Sequence, residues 1–219
     1  TGAVVPPECD TIAMQELVEV DGDIIKIHRP HPAGEHVRYA GEDLKTGDVV
    51  LSAGRRLVPS DLGLIASLGI AEVIVKRRLR IAFFSTGDEL KSIGEVLESG
   101  QIYDSNRYTL YGMLKRLDVD ILDMGVVPDD KGQLRQTLID ASTQADVVIT
   151  SGGVSVGDAD YVKEMLAELG QVDFWKIAMR PGRPLAFGQI SDALFFGLPG
   201  NPVSVMVTFY QFVTPALRQ

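Results

Sequence analysis

The sequence predicts an α/β fold: a three-layer α/β/α domain with a mostly parallel sheet, preceded by a partial β-rich domain. From Arg80 onward, short apolar runs alternate with stretches of helical periodicity, a pattern typical of βαβ units. Apolar residues make up 45% of the 219 residues, which is enough for a sizeable buried core. We expect residues 1–45 to be the tail of the β-rich domain and residues 46–219 to be the α/β domain.

The N-terminal region alternates short apolar runs with turns. Asp21-Gly22-Asp23 is a turn signal between two strands of a hairpin. A helix is predicted to begin at Pro59, with Ser60 or Asp61 near its cap, and to end at Gly69. The apolar run at 73–75 is predicted to be a strand.

Strands and helices then alternate to the end of the chain, which predicts a sheet with helices on both faces. The ligands of such a sheet bind beyond the carboxyl ends of its strands. The predicted strands are 81–84, 120–127, 146–150, 174–179 and 193–198, and the predicted helices are 107–117, 130–141, 161–169 and 202–217.

Composition excludes several classes of function. The net charge is −9, and no basic stripe is present, so we expect no nucleic-acid partner. No apolar run of 18 residues occurs, so we expect no membrane span. The single Cys9 fits a reducing cytoplasm. The start without methionine or a leader suggests a piece of a longer protein, with no signal peptide to identify.

The most informative segment is the apolar run that ends at Thr150 and breaks into Gly152-Gly153. A strand, a glycine turn and a helix start together collect backbone N–H groups that bind an anion, usually a phosphate. Asp158 and Asp160 stand at the start of the following helix. They fit two roles, helix N-caps or oxygen ligands of a phosphate-bound metal.

Four loops of unusual composition follow the predicted parallel strands, so we expect them to meet at one edge of the sheet. Each aspartate in them has an alternative interpretation as an N-cap, whereas Glu89 precedes no strong helix signal. Carboxylates that converge repel one another unless they bind a cation, for which Mg²⁺ on phosphates is the simplest partner. The loops are 85–90, 128–130, 150–160 and 198–202.

Positive charge is concentrated between residues 175 and 184. The period of a strand would place Lys176, Ala178 and Arg180 on one face, where the two cations could bind an oxyanion. The alternative is a solvated edge strand. Pro181-Gly182-Arg183-Pro184 would form a rigid turn that holds Arg183 nearby. Neither a P-loop nor a Gly-x-Gly-x-x-Gly fingerprint follows a strand, so the sequence does not indicate an ordinary NTPase or a Rossmann dinucleotide-binding protein.

Five ordered motifs resemble those of the molybdopterin molybdotransferase family, which includes MoeA and the E domain of gephyrin. The resemblance spans essentially the whole chain. One of the motifs, 102–106, also has a simpler interpretation as a capped helix start, with Asp104 or Ser105 as the cap. The motifs are 85–90, 102–106, 151–158, 181–184 and 197–204.

The resemblance implies an enzyme that inserts molybdate into molybdopterin-AMP and releases AMP and molybdenum cofactor with the help of a divalent cation, taken as Mg²⁺. It implies catalytic roles for Glu89, Asp129, Asp160, Lys176 and Arg180, the three acids also being metal ligands. Arg180 and Arg183 stand where lysine is common in the family. The implied binding residues are Thr86, Gly87, Asp88, Ser151, Gly152, Gly153, Ser155, Gly157, Asp158, Arg183, Pro199, Gly200 and Asn201.

The resemblance further implies a cytoplasmic protein that is a homodimer at full length and has an adenylyltransferase as a possible partner. Alternative functions are an adenylyltransferase-like domain and a gephyrin-like scaffold or peptide-binding module. Segments 154–160 and 199–202 favour the molybdotransferase. A third alternative is a fragment that is inactive without its neighbouring domains.

Overall fold

The computed structural model describes residues 2–153 and 160–218. Three of the predicted binding residues, Ser155, Gly157 and Asp158, therefore lie outside the described residues. The chain forms two compact units, Thr1–Ile74 and Val75–Gln219. The domain boundary predicted after residue 45 stays a prediction. In the part of the chain that the structure describes, no helix is both long enough and apolar enough to cross a membrane.

The first unit contains a hairpin and one helix. Strands β1 (Val18–Asp21) and β2 (Ile24–Ile27) pair in antiparallel register, and Gly22 takes the positive φ of 61° that their tight turn requires. The predicted hairpin is confirmed. A 3-10 turn at Gln15–Leu17 precedes it.

Helix α1 (Pro59–Ser67) begins at the predicted proline. Its N-cap is Val58, and Asp61 accepts a hydrogen bond from the Val58 backbone N–H at 3.1 Å. Asp61 therefore supports the helix start from inside the first turn. The predicted strand at 73–75 is wrong: Val73 and Ile74 are exposed and pair with no described strand, so apolar composition alone did not make a strand.

The second unit contains eight described strands: β3 (Arg80–Thr86), β4 (Leu90–Lys91), β5 (Ile102–Tyr103), β6 (Asp120–Val127), β7 (Val147–Ser151), β8 (Gly170–Lys176), β9 (Pro184–Ile190) and β10 (Ala193–Leu198). Six of them form one sheet with the order β6-β3-β7-β10-β9-β8. The two short strands β4 and β5 pair separately. The helices are α2 (Ser105–Lys115), α3 (Lys131–Gln144), α4 (Asp160–Leu169), α5 (Pro202–Thr208), a π-helical turn (Phe209–Val213) and α6 (Thr214–Leu217).

Strands β6, β3, β7 and β10 run parallel to one another, and β9 runs antiparallel to both of its neighbours. The predicted mostly parallel sheet is confirmed. Strand β9 was not predicted, because its first residue is Pro184 and Gly188 interrupts it, and both residue types disfavour strands. The antiparallel pairing with β8 and β10 overrides that local preference.

Helices cover both faces of the sheet. Along β3, Ile81 and Phe83 point into one apolar core, and Ala82 and Phe84 point into the other, and all four are fully buried. The first core includes residues of α2 and α5, and the second includes residues of α3 and α4. This alternation along a strand buried on both sides is the basis of the three layers.

Polar side chains fix the starts of three helices. Asp104 accepts from the backbone N–H of Arg107 at 3.1 Å at the start of α2, and Asp130 accepts from that of Gln133 at 2.8 Å at the start of α3. Asn201 caps α5. The N-cap interpretation is therefore confirmed for these residues, and it leaves the other polar residues of the loops available for a ligand.

The loops after β3, β7 and β10 pack through their backbones. Gly152 has a φ of +89°, and a Cβ at this position would lie 2.5 Å from the carbonyl oxygen of Thr86. The Gly152 N–H also donates to the carbonyl of Leu198 at 3.2 Å. Only glycine permits this approach, because any side chain would displace the end of β3.

We expect Gly152→Ala to lower the free energy of unfolding by about 1–3 kcal/mol, the cost of a strained positive φ with the added steric contact. The matched control is Gly200→Ala. A Cβ at Gly200 would meet only the Cα of Gly152, at 3.9 Å, and its φ is not positive. Urea unfolding followed by circular dichroism measures both. Equal stabilities of the two variants would contradict the proposed packing constraint.

An ion pair links the segment before β3 to the start of β7. The guanidinium of Arg77 donates two hydrogen bonds, each 2.6 Å long, to the two carboxylate oxygens of Asp146. The same carboxylate accepts from the backbone N–H of Arg80 at 2.8 Å. These bonds favour the charged form, so the pKa of Asp146 falls to about 2, chiefly through Arg77 and against the effect of partial burial.

Since the pKa of Asp146 is lower in the folded protein than the ordinary 3.8, its ionised form stabilises the fold at neutral pH. Asp146→Asn should lower the free energy of unfolding by about 1–2 kcal/mol at pH 7, a value reduced for solvent screening. The difference from the unaltered protein should shrink as the pH falls from about 4 to about 2. Urea titrations of both proteins across this pH range measure whether the stability difference falls as the pH falls. A difference independent of pH would show that packing, not charge, causes the loss.

Candidate functional site

A cavity of about 600 Å³ lies at the carboxyl edge of the sheet in the second unit. Residues from the loops after β3, β6, β7 and β10 line it, as expected for a parallel sheet. The structure thus brings together ten of the predicted site residues: Thr86, Gly87, Glu89, Asp129, Ser151, Gly152, Gly153, Pro199, Gly200 and Asn201.

Two of the predicted acids face this cavity. Asp129 accepts a hydrogen bond from the Thr86 hydroxyl at 2.6 Å, and its backbone N–H donates to Asp88 at 3.0 Å. Asp88 does not line the cavity but holds the backbone of Asp129 in place. Gly87 makes room for Glu89, since a Cβ at 87 would lie 2.7 Å from the Glu89 carboxylate.

Of the three predicted metal ligands, Glu89 and Asp129 line the cavity. Asp160 is the first residue of α4, and its side chain lies outside what the structure describes. Within residues 2–153 and 160–218, no group of three or more His, Cys, Asp or Glu side chains is close enough to hold a metal ion. Glu89 and Asp129 fit a site in which one or two carboxylates and substrate phosphates together bind Mg²⁺.

The glycine turn after β7 has the backbone geometry of a close-approach loop. Gly152 and Gly153 both have positive φ, +89° and +68°, and a Cβ on Gly153 would lie 2.8 Å from the Thr86 methyl group. Ser151, just before them, is buried. The continuation of the loop lies outside the described residues, so its anion-binding role stays a prediction.

The predicted basic residues Lys176, Arg180 and Arg183 do not line the cavity. Lys176 is the last residue of β8 and pairs with Pro184, which does line the cavity. The prediction that Lys176, Ala178 and Arg180 share a strand face is wrong. The strand ends at Lys176, because the Ile177 N–H donates to the carbonyl of Arg183 at 2.7 Å and the chain turns between them.

The three cations of this turn are exposed. Lys176, Arg180 and Arg183 form no ion pair with a described residue. Gly182 anchors the turn: its φ is +96°, and a Cβ there would lie 3.0 Å from the Thr208 methyl group of α5. The turn therefore holds exposed positive charge next to a cavity that carries negative side chains.

One wall of the cavity was missed as a binding surface. The chain from β5 into α2 contributes Ile102, Tyr103, Asp104, Ser105 and Asn106 to the lining. The Asn106 side-chain amide donates to the Gly200 carbonyl at 2.7 Å, so it joins α2 to the loop after β10. The signal available in the sequence was the motif 102–106, which we matched to the family and interpreted as a capped helix start but did not include among the binding residues.

Comparison with known families matches both units. Residues 1–69 match the family model of the MoeA N-terminal region (domain I and II), and residues 82–219 match that of the probable molybdopterin binding domain. The second of these matched ranges contains all five of the motifs on which the sequence resemblance rested.

Individual relatives agree with the family models. The chain is 51% identical to a molybdopterin molybdenumtransferase of Haemophilus influenzae over all of this chain and 54% of the relative, and 40% identical to one of Nostoc over all of this chain and 51% of the relative. A crystal structure of a molybdopterin biosynthesis MoeA protein from Pyrococcus horikosii superposes with a TM-score of 0.78 at 36% identity, over all of this chain and 55% of that one.

The chain spans about half the length of the curated relatives it matches. Within that half, the two family models follow one another in chain order, and the second covers the whole cavity. The chain belongs to the MoeA family of molybdopterin-binding proteins.

Proposed function

We propose that the protein inserts molybdate into molybdopterin-AMP, releasing AMP and molybdenum cofactor. The observation that carries the proposal is the cavity of about 600 Å³ that the family's motifs build at one edge of the sheet. The size is that of a site for a molecule such as a nucleotide or a pterin. The relatives named molybdopterin molybdenumtransferase support this reaction over others.

In this proposal the phosphates bind at the glycine-rich edge of the cavity. Gly153 and Gly200 line the cavity and have no side chain between backbone and ligand. Backbone N–H groups at such positions stabilise negative oxygen atoms. The predicted contributions of Ser155, Gly157 and Asp158 belong to the same part of the proposal.

Molybdate would bind between the phosphates and the basic turn. Molybdate and phosphate are both tetrahedral oxyanions, so ammonium and guanidinium groups can hold either. Lys176, Arg180 and Arg183 are exposed at the turn beside Pro184. They are the cations that we propose for this role.

Glu89 and Asp129, with Asp160, would hold Mg²⁺ in this proposal. The bound ion would offset the negative charge of the phosphoanhydride while AMP leaves. Asp129 is held for this role on two sides, by the Thr86 hydroxyl bonded to its carboxylate and by Asp88 bonded to its backbone. The bond from Thr86 orients the carboxylate, and the bond to Asp88 holds the backbone that carries it.

We also propose that the full-length protein is a cytoplasmic homodimer. Its substrate already carries AMP, so an adenylylating enzyme must act before it, and that enzyme is the partner we propose. The exposed free thiol of Cys9 fits a reducing compartment. No feature of the described residues favours the alternatives, an adenylyltransferase-like domain or a scaffold.

The first test is the reaction itself. We expect the protein, incubated with molybdopterin-AMP, molybdate and Mg²⁺, to release AMP, as measured by mass spectrometry. Asp129→Asn should slow AMP release by about tenfold or more, equal to about 1.4 kcal/mol in the barrier, because it removes a metal-binding charge and keeps the bond from Thr86. The control Asp130→Asn changes a neighbouring exposed carboxylate that caps α3 and should leave the rate unchanged. Equal rates in the two variants would exclude the metal role of Asp129.

The second test concerns Arg180. Since lysine is common at this position in the family, we expect Arg180 to act as a point charge. Arg180→Lys should then retain molybdate binding, whereas Arg180→Ala should weaken it by about tenfold. Isothermal titration with molybdate in the presence of molybdopterin-AMP measures both variants. A strong loss with lysine would indicate a bidentate contact that only the guanidinium can make.

A further inference from the structure

Asp104 has one carboxylate oxygen more than its structural role requires. Asp104 lines the cavity, and the residue is only 1% exposed. Oδ1 caps α2 by accepting from the Arg107 N–H. Oδ2 is buried and has no hydrogen-bond partner among the described residues. Asparagine or serine would cap the helix equally well, so capping does not explain the carboxylate.

Asn106 presents a second acceptor in the same wall. It is 7% exposed, and its Oδ1 is also buried without a partner among residues 2–153 and 160–218. The orientation of its amide is fixed, because the Gly200 carbonyl can only accept and must therefore face the nitrogen. We call Asp104 and Asn106 the acceptor wall.

Neither a protein cation nor a metal explains the free oxygens. The guanidinium of Arg107 is bound to Asp123 at 2.7 Å and to Ser92 at 3.3 Å. No described trio of metal-ligating side chains includes Asp104. A buried acceptor that lacks a donor costs free energy. A ligand in the cavity with N–H groups would remove that cost.

We propose that the acceptor wall recognises the pterin ring by its adjacent N–H donors, the ring N3–H and the 2-amino group. This inference rests on the proposed function and deepens it, because it names the group that selects the heterocycle. Adenine has a single amino group flanked by acceptors, so it offers only one donor position to this wall. A carboxylate strengthens such bonds because it is charged, and a site built around buried acceptors rejects analogues that lack the donors.

The test compares two fluorescent probes. 6-Carboxypterin carries the adjacent donor pair, whereas 6-carboxylumazine has a carbonyl in place of the 2-amino group. We expect the unaltered protein to bind the pterin about tenfold or more tightly than the lumazine. Asp104→Asn keeps the helix cap but replaces the free acceptor with a donor, so it should lose this preference. Fluorescence titration measures the two affinities.

Two further variants separate recognition from folding. Asp104→Ser also retains a cap and removes the free oxygen, so it should lose the preference as well. Asp130→Asn makes the same chemical change at the exposed cap of α3 and should keep it. The inference is overturned by equal affinity of the unaltered protein for both probes, by no measurable pterin binding at millimolar concentration, by an unchanged preference in Asp104→Asn, or by failure of both Asp104 variants to fold.

Failure of this inference can be told apart from failure of the proposed function. Probe binding requires neither molybdate nor turnover. A protein that releases AMP but shows no preference for the pterin probe would retain the proposed function and lose the role of the acceptor wall. A protein that prefers the pterin through Asp104 but releases no AMP would retain the role of the acceptor wall and lose the proposed function.

Discussion

The site depends on the close backbone contact between the ends of β3 and β7. Gly152 lies against the carbonyl of Thr86 and donates to that of Leu198, so three parallel strands end at the same level. The loops that follow them carry the carboxylates, the glycine turn and the capped start of α5. A side chain at 152 would separate the strand ends and, with them, the groups that must act on one ligand. The contact between the strand ends therefore determines which side chains meet at the cavity.

The charges of the site are arranged in two groups. Glu89 and Asp129 face the cavity, while Lys176, Arg180 and Arg183 lie on a turn at its side. Within the described residues the two groups form no ion pair with each other, so neither neutralises the other before a ligand arrives. A ligand that carries phosphates and a metal would complement both groups at once, since the cations face oxyanions and the carboxylates face the metal.

Local pattern was sufficient to predict most of the second unit, because its parallel strands are continuous apolar runs buried on both faces. Prediction from local pattern failed where pairing between strands, and not the sequence of the segment itself, determines the structure. Strand β9 begins with Pro184 and was missed, and the chain turns after Lys176 although its sequence continues as a strand would. In the site, the four loops were predicted from topology, whereas the segment that holds Asp104 and Asn106 was identified as a family motif and a helix cap but not as a binding wall. Whether a capping side chain also faces a cavity depends on tertiary packing, which sequence spacing does not show.

Asp104 and Asp130 show how burial alone separates two otherwise similar residues. Each caps a helix of the second unit with one oxygen. Asp130 is an exposed residue, so water can satisfy its second oxygen. That of Asp104 is shielded at the cavity wall, where a carboxylate without a donor is unfavourable. The folded protein therefore carries a local cost at Asp104. A ligand with N–H donors gains the corresponding free energy on binding, and a ligand without them gains nothing from this wall.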